Sequence, residues 1–382
     1  MNIYIVKSGD TIDSIADTYG IPVNRIIYMN QLVYPYRLAL GQAILLSEEE
    51  IEPGRNIPAN GFAYPFISPW VLDSTLPFLV ELSVFSYGFS AEGEIIPPIL
   101  SPEFMIEKAL AQGTIPTLTL TPFGPDGQFN NYLIHAVLTN EQARNRLIQN
   151  LRVTVLSEGY QGVNIDFEYI LAEDRDLFTG FVRDVTYSMR EFGYQTTVDL
   201  APKTSANQKG VLYEGKDYGG LGAAADMVLL MTYEWGYTYG PSMAVAPIHK
   251  VREVLDYAVT EIPRNKINMG IPNYGYDWPL PYVKGESKAQ TIGNVEAVQI
   301  AIQNHAEIFY DEIAQTPYFR YEKNGVGHEV WFEDARSILA KLKLVDGYQI
   351  HGIGYWQIMQ LFRTIWLLQQ SNLWEIKIIK KE

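Results

Sequence analysis

Several residue types and sequence patterns are absent or scarce in this chain of 382 residues, and each absence excludes a kind of site, partner or fold. It has no cysteine, which excludes disulfides and thiol catalysis. Positive charge is short: 29 Lys and Arg against 44 Asp and Glu give a formal net charge of -15. That charge disfavours nucleic acid and anionic membranes as partners. No apolar run reaches the ~18 residues of a membrane helix, and residues 1–10 lack the pattern of a classical signal peptide.

Histidine is also scarce, and the few that occur do not form a metal-binding pattern. The five histidines are His135, His249, His305, His328 and His351. None is paired at the short spacing typical of zinc sites. The glycine-rich run at residues 219–222 lies among alanines before a strand and indicates a turn, not a phosphate loop. The sequence therefore predicts no metal site and no cofactor.

Material for a folded core is abundant. Hydrophobic residues make up 47% of the chain, which argues against disorder. Its length exceeds that of one small domain and suits a barrel of about 250–300 residues with an added module. We expect a module in residues 1–48, a charged, proline-containing linker in residues 49–59, and the larger domain in residues 60–382.

The N-terminal region has the order strand, helix, helix, strand. Residues 3–6 are strand-like, and Asp10 and Thr11 form a helix N-cap signal before apolar residues at helical spacing. Pro22 can open a second helix, and residues 43–46 predict a second strand. The pattern therefore predicts a compact β-α-α-β unit.

Two short segments of this unit, Ser8-Gly9-Asp10-Thr11 and Leu40-Gly41-Gln42, resemble the signatures of LysM modules. Such modules bind N-acetylglucosamine polymers, including peptidoglycan and chitin. The resemblance implies a ligand groove between the first loop and the loop at residues 33–37. Its implied groove residues are Gly9, Asp10 and Thr11. A helix cap without a ligand accounts for the same residues.

The most informative stretch is Gly-Val-Asn-Ile-Asp-Phe-Glu-Tyr at residues 162–169. Alternation predicts a buried strand with three apolar residues on one face and Asn164, Asp166 and Glu168 on the other. Two carboxylates at i and i+2 lie roughly 6–7 Å apart along a strand, so Asp166 can raise the pKa of Glu168. An ordinary strand with a solvated polar face gives the same pattern.

This stretch resembles the signature of family 18 glycoside hydrolases, Asp-Gly-x-Asp-x-Asp-x-Glu. Gly162, Asp166 and Glu168 match it, whereas Gln161 and Asn164 stand where the first two aspartates are usual. Three further segments resemble the family in the correct chain order: Met231-Thr232-Tyr233-Glu234, Gly270-Ile271-Pro272-Asn273-Tyr274-Gly275 and Gly354-Tyr355-Trp356-Gln357.

Strand-like and helical runs alternate through the larger domain, which predicts a parallel sheet, and eight such units predict an α/β fold of the (β/α)8 TIM-barrel type. The predicted strands start near Gly61, Val80, Thr114, Gly162, Gln195, Met227, Lys266 and His351. The connection before the last strand is too long for a simple loop. It contains a predicted hairpin around Asn324-Gly325, which resembles the small α+β insertion of many family members. We place this insertion between strands 7 and 8 at approximately residues 279–333. Trp278 and Trp331 there are either part of a sugar platform or part of the core.

The resemblance also implies roles for individual residues. Glu168 is implied as the general acid, Asp166 as the group that holds the substrate's N-acetyl N–H, and Tyr233 as the donor to the acetyl oxygen. Trp356 is implied as the floor under the cleaved sugar. The remaining expected substrate-binding residues are Asn164, Asn273, Tyr274 and Glu234.

Taken together, these features resemble spore cortex-lytic N-acetylglucosaminidases. The resemblance implies a retaining, substrate-assisted hydrolase of β-1,4 bonds after N-acetylglucosamine in spore-cortex peptidoglycan, acting as a monomer in the spore coat, cortex or cell wall. A chitinase or an endo-N-acetylglucosaminidase on other glycans is the alternative enzyme. A non-catalytic, carbohydrate-binding wall protein is the alternative of a different class.

Overall fold

The computed structural model describes residues 1–48 and 53–379. Of the expected linker, residues 49–52 lie outside this part of the chain. The strands are β1 Asn2–Ile5, β2 Ala43–Leu46, β3 Ala59–Ala63, β4 Glu81–Phe89, β5 Ile95–Ile96, β6 Ile115–Leu120, β7 Gly162–Ile165, β8 Gln195–Leu200, β9 Met227–Leu230, β10 Ile267–Pro272, β11 Gly275–Leu280, β12 Gln290–Ile292, β13 Phe309–Asp311, β14 Thr316–Lys323, β15 Val326–Trp331, β16 Gly352–Trp356 and β17 Lys377–Ile379.

The helices surround these strands. They are α1 Ile12–Tyr19, α2 Val23–Asn30, α3 Pro69–Thr75, α4 Glu103–Ala111, α5 Tyr132–Thr139, α6 Glu141–Glu158, α7 Arg175–Arg190, α8 Tyr218–Ala224, α9 Ile248–Glu261, α10 Asn294–Gln303, α11 Ala335–Tyr348 and α12 Arg363–Gln369. Within residues 1–48 and 53–379, none of these helices is long and apolar enough to cross a bilayer.

Eight parallel strands close into a barrel, which confirms the predicted fold. They follow the order β3, β4, β6, β7, β8, β9, β10 and β16, and β16 pairs back onto β3. Each begins within two residues of its predicted start. The apolar face of β7 points outward as predicted, because Phe167, just beyond the strand, stacks on Phe178 and Phe181 of α7 at centroid distances of 5.8 and 5.7 Å. The polar face of β7 is therefore directed into the barrel.

The connection between β10 and β16 carries the insertion. Its antiparallel sheet has the order β12, β11, β15, β14, β13, with α10 between β12 and β13. The β14–β15 hairpin turns at Asn324 and Gly325, whose φ angles of 54° and 78° suit a tight two-residue turn. The sheet begins already at Gly275, earlier than the predicted limit at residue 279.

The N-terminal unit has the predicted β-α-α-β order but is joined to the rest of the chain more closely than a linker implies. The C-terminal strand β17 pairs in parallel with β1, which the sequence pattern does not predict. Ile3, Met29 and Leu45 belong to the same apolar core as the barrel. The guanidinium of Arg363 lies 4.0 Å from the ring centroid of Tyr28. The unit is therefore docked on the barrel.

Candidate active site

The two carboxylates of the signature lie where β7 ends, at the carboxyl-terminal mouth of the barrel. The backbone N–H of Asp166 still donates to Leu120 O at 3.0 Å, so the chain stays in the sheet as far as Asp166. The side chain of Asp166 is buried, whereas that of Glu168 is partly exposed. One carboxyl is therefore enclosed by the barrel, and the other can reach a substrate at its mouth.

Burial dominates the electrostatics of this pair. It raises the pKa of Asp166, and the neighbouring Glu168 carboxylate raises it further, while the ammonium of Lys216 opposes both effects. Burial also raises the pKa of Glu168, again opposed by Lys216. Since a proton donor must be protonated at the working pH, the raised pKa of Glu168 suits a general acid.

Asn164 lies below this pair and is fully buried. Its Nδ2 donates to Asp199 Oδ1 on the neighbouring strand β8 at 2.7 Å. Asn164 therefore links β7 to β8. The substrate-binding role that the sequence suggested for it stays a prediction.

Tyr233 follows β9 and approaches the carboxylates from the side. The nearby charges of Asp199 and Asp166, together with burial as the largest cause, raise the pKa of its hydroxyl well above the usual value. Its ring packs so closely over Gly270 that a Cβ there would lie 2.6 Å from Cε1 of Tyr233. A glycine is therefore required at residue 270, and the Tyr233 hydroxyl remains a proton donor.

Aromatic rings form the floor beside the carboxylates. Trp356 ends β16, is partly buried, and packs edge-on against Phe85 at 4.8 Å and Tyr64 at 6.1 Å between centroids. A groove of about 680 Å³ extends away from this cluster along Tyr64 and Phe85 to Phe66 and Ile99. Sugar rings stack on exposed aromatic faces, so this surface suits a glycan.

Glu234 sits at the rim of the cleft in the left-handed region, with a φ of 68°. Its Oε1 accepts hydrogen bonds from the hydroxyls of Tyr274 and Tyr276, the latter at 2.9 Å. Tyr274 is almost fully buried, so its hydroxyl orients Glu234. Tyr274 thus supports Glu234 from beneath, and a substrate contact of either residue stays a prediction.

Asn273 is also buried, and its amide is used within the protein. Its Nδ2 donates to Gln357 O at 3.1 Å and to Gln360 O at 3.0 Å. Its backbone N–H donates to Trp356 O at 2.9 Å. Asn273 therefore holds the segment that follows Trp356, and the substrate-binding role suggested by the sequence stays a prediction.

Sequence reasoning missed two buried residues next to the carboxylates. Asp199 lies on the inward face of β8, where alternation with Val198 and Leu200 could have revealed it. Lys216 lies in a loop before α8, and no periodic signal marks it. Its Nζ donates to Phe167 O at 2.5 Å and to Asp199 O at 3.1 Å. Both residues come to the site through tertiary structure.

The two tryptophans left open by the sequence belong to the core of the insertion. Trp278 is buried and donates from Nε1 to Gly240 O at 2.9 Å. Trp331 is also buried and stacks on Tyr318 at 4.6 Å between centroids. They support the wall beside Tyr276 and do not form a sugar platform.

In the N-terminal unit, the expected groove residues are used mainly for local structure. Asp10 Oδ2 accepts from Tyr4 Oη at 2.6 Å and from the N–H of Lys7 at 2.7 Å. The side chain of Thr11 caps α1 by accepting from Ser14 N at 3.0 Å, and Gly9 has a φ of 87°. These contacts fit the helix-cap interpretation, and they leave the backbone of the loop exposed.

Outside the cleft, His135 lies beside two acidic residues. Its Nδ1 is 2.7 Å from Asp174 Oδ2, and potential ligand atoms of His135, Glu173 and Asp174 lie within 4.8 Å of one another. The short contact pairs His135 with Asp174. Such a pair explains the buried carboxyl of Asp174 by itself.

A closed barrel with this carboxylate strand at its mouth defines a glycoside hydrolase of family 18, and the chain belongs to that family. The sequence profile of glycosyl hydrolases family 18 matches residues 124–360, and that of the LysM domain matches residues 4–47. The protein is therefore a glycoside hydrolase with an N-terminal LysM domain.

Particular relatives narrow the class. The chain is 34% identical to the cortical fragment-lytic enzyme of Bacillus subtilis (strain 168), covering 100% of this chain and 99% of that protein. The crystal structure of the spore cortex-lytic enzyme SleL of Bacillus megaterium QM B1551 superposes with a TM-score of 0.90 at 31% identity, covering 100% and 99% of the two chains. A chitinase from Chromobacterium violaceum shares the fold, with a TM-score of 0.76 at 24% identity over 82% of this chain and 98% of that one.

Proposed function

We propose that this protein hydrolyses β-1,4 bonds after N-acetylglucosamine in spore-cortex peptidoglycan. The observation that carries the proposal is the arrangement of Asp166, Glu168, Tyr233 and Trp356 at one barrel mouth, in a chain that matches a cortical fragment-lytic enzyme over its whole length. The LysM domain supports an N-acetylglucosamine polymer as partner.

The proposed reaction uses the substrate's own acetamido group as the nucleophile. Glu168 protonates the glycosidic oxygen while the N-acetyl oxygen attacks the anomeric carbon, which forms an oxazolinium ion and releases the leaving sugar. Family 18 enzymes are an exception to the scheme with two catalytic carboxylates, so no second carboxylate is needed as nucleophile. The Glu168 carboxylate then takes a proton from water, which opens the ring with net retention.

The other residues stabilise the charged intermediate. Asp166, as an anion, accepts a hydrogen bond from the N-acetyl N–H and offsets the positive charge of the oxazolinium ring. Tyr233 donates from its hydroxyl to the acetyl oxygen before the attack. Trp356 supports the apolar face of the sugar. The contact of Asp166 strengthens as positive charge develops on the acetamido group, and this is how it accelerates the reaction.

We further propose that the protein acts as a monomer in the spore coat, cortex or cell wall. One chain supplies every group invoked above, so no second copy is needed. The formal net charge of -15 argues against nucleic acid and anionic membranes as partners.

The direct test is digestion of purified spore cortex, followed by mass spectrometry of the new reducing ends. We expect N-acetylglucosamine at the reducing end and the β-anomer in early NMR spectra. New muramic-type reducing ends would contradict the proposed bond, and an inverted anomer would contradict the mechanism. Cleavage of chitin oligosaccharides but not cortex would favour the chitinase alternative, and no cleavage at all would favour a binding protein.

A further inference from the structure

A buried group of four charged side chains lies under the catalytic strand. Its carboxyls are Asp166, Glu168 and Asp199, and its cation is Lys216. Ile165 pairs with Val198, so Asp166 and Asp199 are the next residues in register on neighbouring parallel strands and face the same side of the sheet. Neighbouring strands are about 4.8 Å apart, so these two carboxyls lie side by side.

The side-chain ammonium of Lys216 forms hydrogen bonds to the ends of both β7 and β8. Its side chain is fully buried, and its Nζ donates to Phe167 O and to Asp199 O. The first carbonyl belongs to Phe167, the residue directly before Glu168. The second is the backbone carbonyl of Asp199 itself. The ammonium is therefore fixed between the ends of β7 and β8, within electrostatic range of all three carboxyls.

The charge balance of this group limits how many protons it can lose. A buried charge is costly unless an opposite charge compensates it, so one ammonium supports one carboxylate among the three. The proposed mechanism requires Glu168 to keep its proton and Asp166 to be the anion. The second retained proton must then lie on Asp199.

We propose that Lys216 and Asp199 are positioning residues that fix the protonation of the active site: Lys216 is the counter-ion of the Asp166 carboxylate, and Asp199 keeps a proton. This inference rests on the proposed function for the roles of Asp166 and Glu168. It also gives Asn164 a purpose, since its Nδ2 donates to Asp199 Oδ1 and leaves Oδ2 to carry the proton.

The hydrogen bonds of the neighbourhood agree with this arrangement. Among the described residues, Asp166 Oδ1 is a buried atom without a hydrogen-bond partner, so this carboxyl keeps an unused acceptor. Burial and then the neighbouring Asp166 raise the pKa of Asp199 well above its usual value, against the smaller opposing effects of the Asn164 hydrogen bond and the Lys216 ammonium. The other titratable groups around the unit are Glu81, Tyr64, Tyr169, Tyr233 and Glu234. Burial also raises the pKa of each of them, that of Glu81 to about 7, so burial disfavours further negative charge around the unit.

The first test is the pH profile of kcat/KM for Lys216→Met. Without the counter-ion, Asp166 ionises less readily, and an opposite charge at this range shifts a pKa by about 1–3 units. The acid limb should therefore move to higher pH by that amount. Lys209→Met is the matched control, because Lys209 lies in the same loop region but its side chain is 85% exposed. A folded Lys216→Met variant with the wild-type acid limb would overturn the role of Lys216.

The second test needs neither substrate nor a lysine variant. Infrared difference spectra of the full chain at neutral pH should contain the bands of protonated buried carboxyls, and Asp199→Asn should remove one of them. Unchanged bands in that variant would refute a proton on Asp199. If the proposed function fails, the wild-type chain leaves cortex intact while these bands remain. If the inference fails, hydrolysis is intact and the bands do not respond.

Discussion

At the residue scale, the position of each carboxyl relative to the barrel wall decides its role. Glu168 is partly exposed at the mouth, whereas Asp166 two residues earlier is buried. Asn164, a further two residues back, is fully buried and donates a hydrogen bond to Asp199. The alternation of one strand thus gives three depths: a group that reaches the leaving oxygen, one that reaches the acetamido group, and one that supports both.

Replacing Glu168 by Gln should abolish nearly all turnover without loss of fold. The amide has almost the same shape but cannot donate an acidic proton, and general acid catalysis contributes about 10²–10⁴-fold. Single-turnover kinetics on cortex fragments would measure the loss, with calorimetric binding of an oligosaccharide to show an intact site. Glu173→Gln, at an exposed position in the next loop, is the matched control. A rate above about a tenth of wild type would remove Glu168 from the role of acid.

The buried carboxyls also make stability depend on pH. Burial raises the pKa of Asp199 well above its ordinary value and also raises that of Glu168, so the folded state holds protons that the unfolded state has released. Stability from such a group is complete below the unfolded pKa and is lost as pH rises through the folded pKa. Urea unfolding should therefore give a free energy of unfolding that falls as the pH rises above about 4, the ordinary pKa of a carboxyl group.

Asp199→Asn should flatten part of this decline, because the variant lacks one of the buried carboxyls whose pKa is raised. Asp176→Asn removes an exposed carboxyl from the first turn of α7 and is the control. The same slope in wild type and Asp199→Asn would contradict the assignment of Asp199 to the protonated group.

At the element scale, the segment that follows β16 is held by the side chain of Asn273, which lies directly after β10. Asn273 bonds the carbonyls of Gln357 and Gln360, and these hydrogen bonds fix the chain that leaves Trp356. The sequence motif identified Asn273, but it did not show which way the side-chain amide points. Only the packing of neighbouring strands β10 and β16 turns that amide towards the loop and away from the cleft.

Asn273→Asp tests this role with an isosteric change. The carboxylate keeps the shape but loses both N–H donors, which leaves two carbonyls without their partner at a cost of about 1–3 kcal/mol each at most. We expect a lower Tm and a reduced kcat/KM, because Trp356 loses its fixed position. Thermal unfolding and steady-state kinetics measure both. Asn304→Asp, which affects one hydrogen bond at the end of α10, is the comparison. Wild-type kinetics in Asn273→Asp would show that the segment holds itself.

At the scale of the whole molecule, the LysM domain and the barrel share one core. Ile3, Met29 and Leu45 pack into the barrel's apolar core, and β17 returns from the C-terminus to extend the LysM sheet. The backbone N–H of Ile308 in the insertion donates to Leu40 O at 2.8 Å on the other side. The orientation of the LysM domain relative to the cleft is therefore set by packing.

Deleting residues 1–48 should consequently lower the stability of the remaining chain. Burial of a large apolar side chain contributes about 1.5–3 kcal/mol, and three such side chains are lost from the shared core. Sequence patterns alone predict a separable module, so that deleting residues 1–49 leaves hydrolysis of a short soluble substrate nearly unchanged. Calorimetry of the two chains decides between them. Arg363→Ala, which removes the guanidinium contacts to the carbonyl and ring of Tyr28 without removing the domain, should give a smaller loss of Tm. An equal Tm for the full and shortened chains would show that the domains are separable.

Sequence patterns alone predicted the eight barrel strands and the two acidic residues of the catalytic strand. Strand periodicity, helix caps at Thr11 and Asn140, and the order of the motifs are local properties, and the structure reproduces them. Depth in the barrel is not local: Asn164 and Asn273 read as polar residues near a cleft, yet both are buried. Only closure of the barrel decides which polar side chain meets a substrate and which meets a neighbouring strand.

The positions of Asp199, Lys216 and β17 also became clear only from the tertiary structure. Lys216 lies far from Glu168 in the chain, and its place is fixed by two carbonyls that exist as a pair only once β7 and β8 are side by side. The pairing of β17 with β1 joins opposite ends of the chain. Patterns along a sequence record short-range preferences, whereas contacts between distant segments follow from how the whole chain buries its apolar surface.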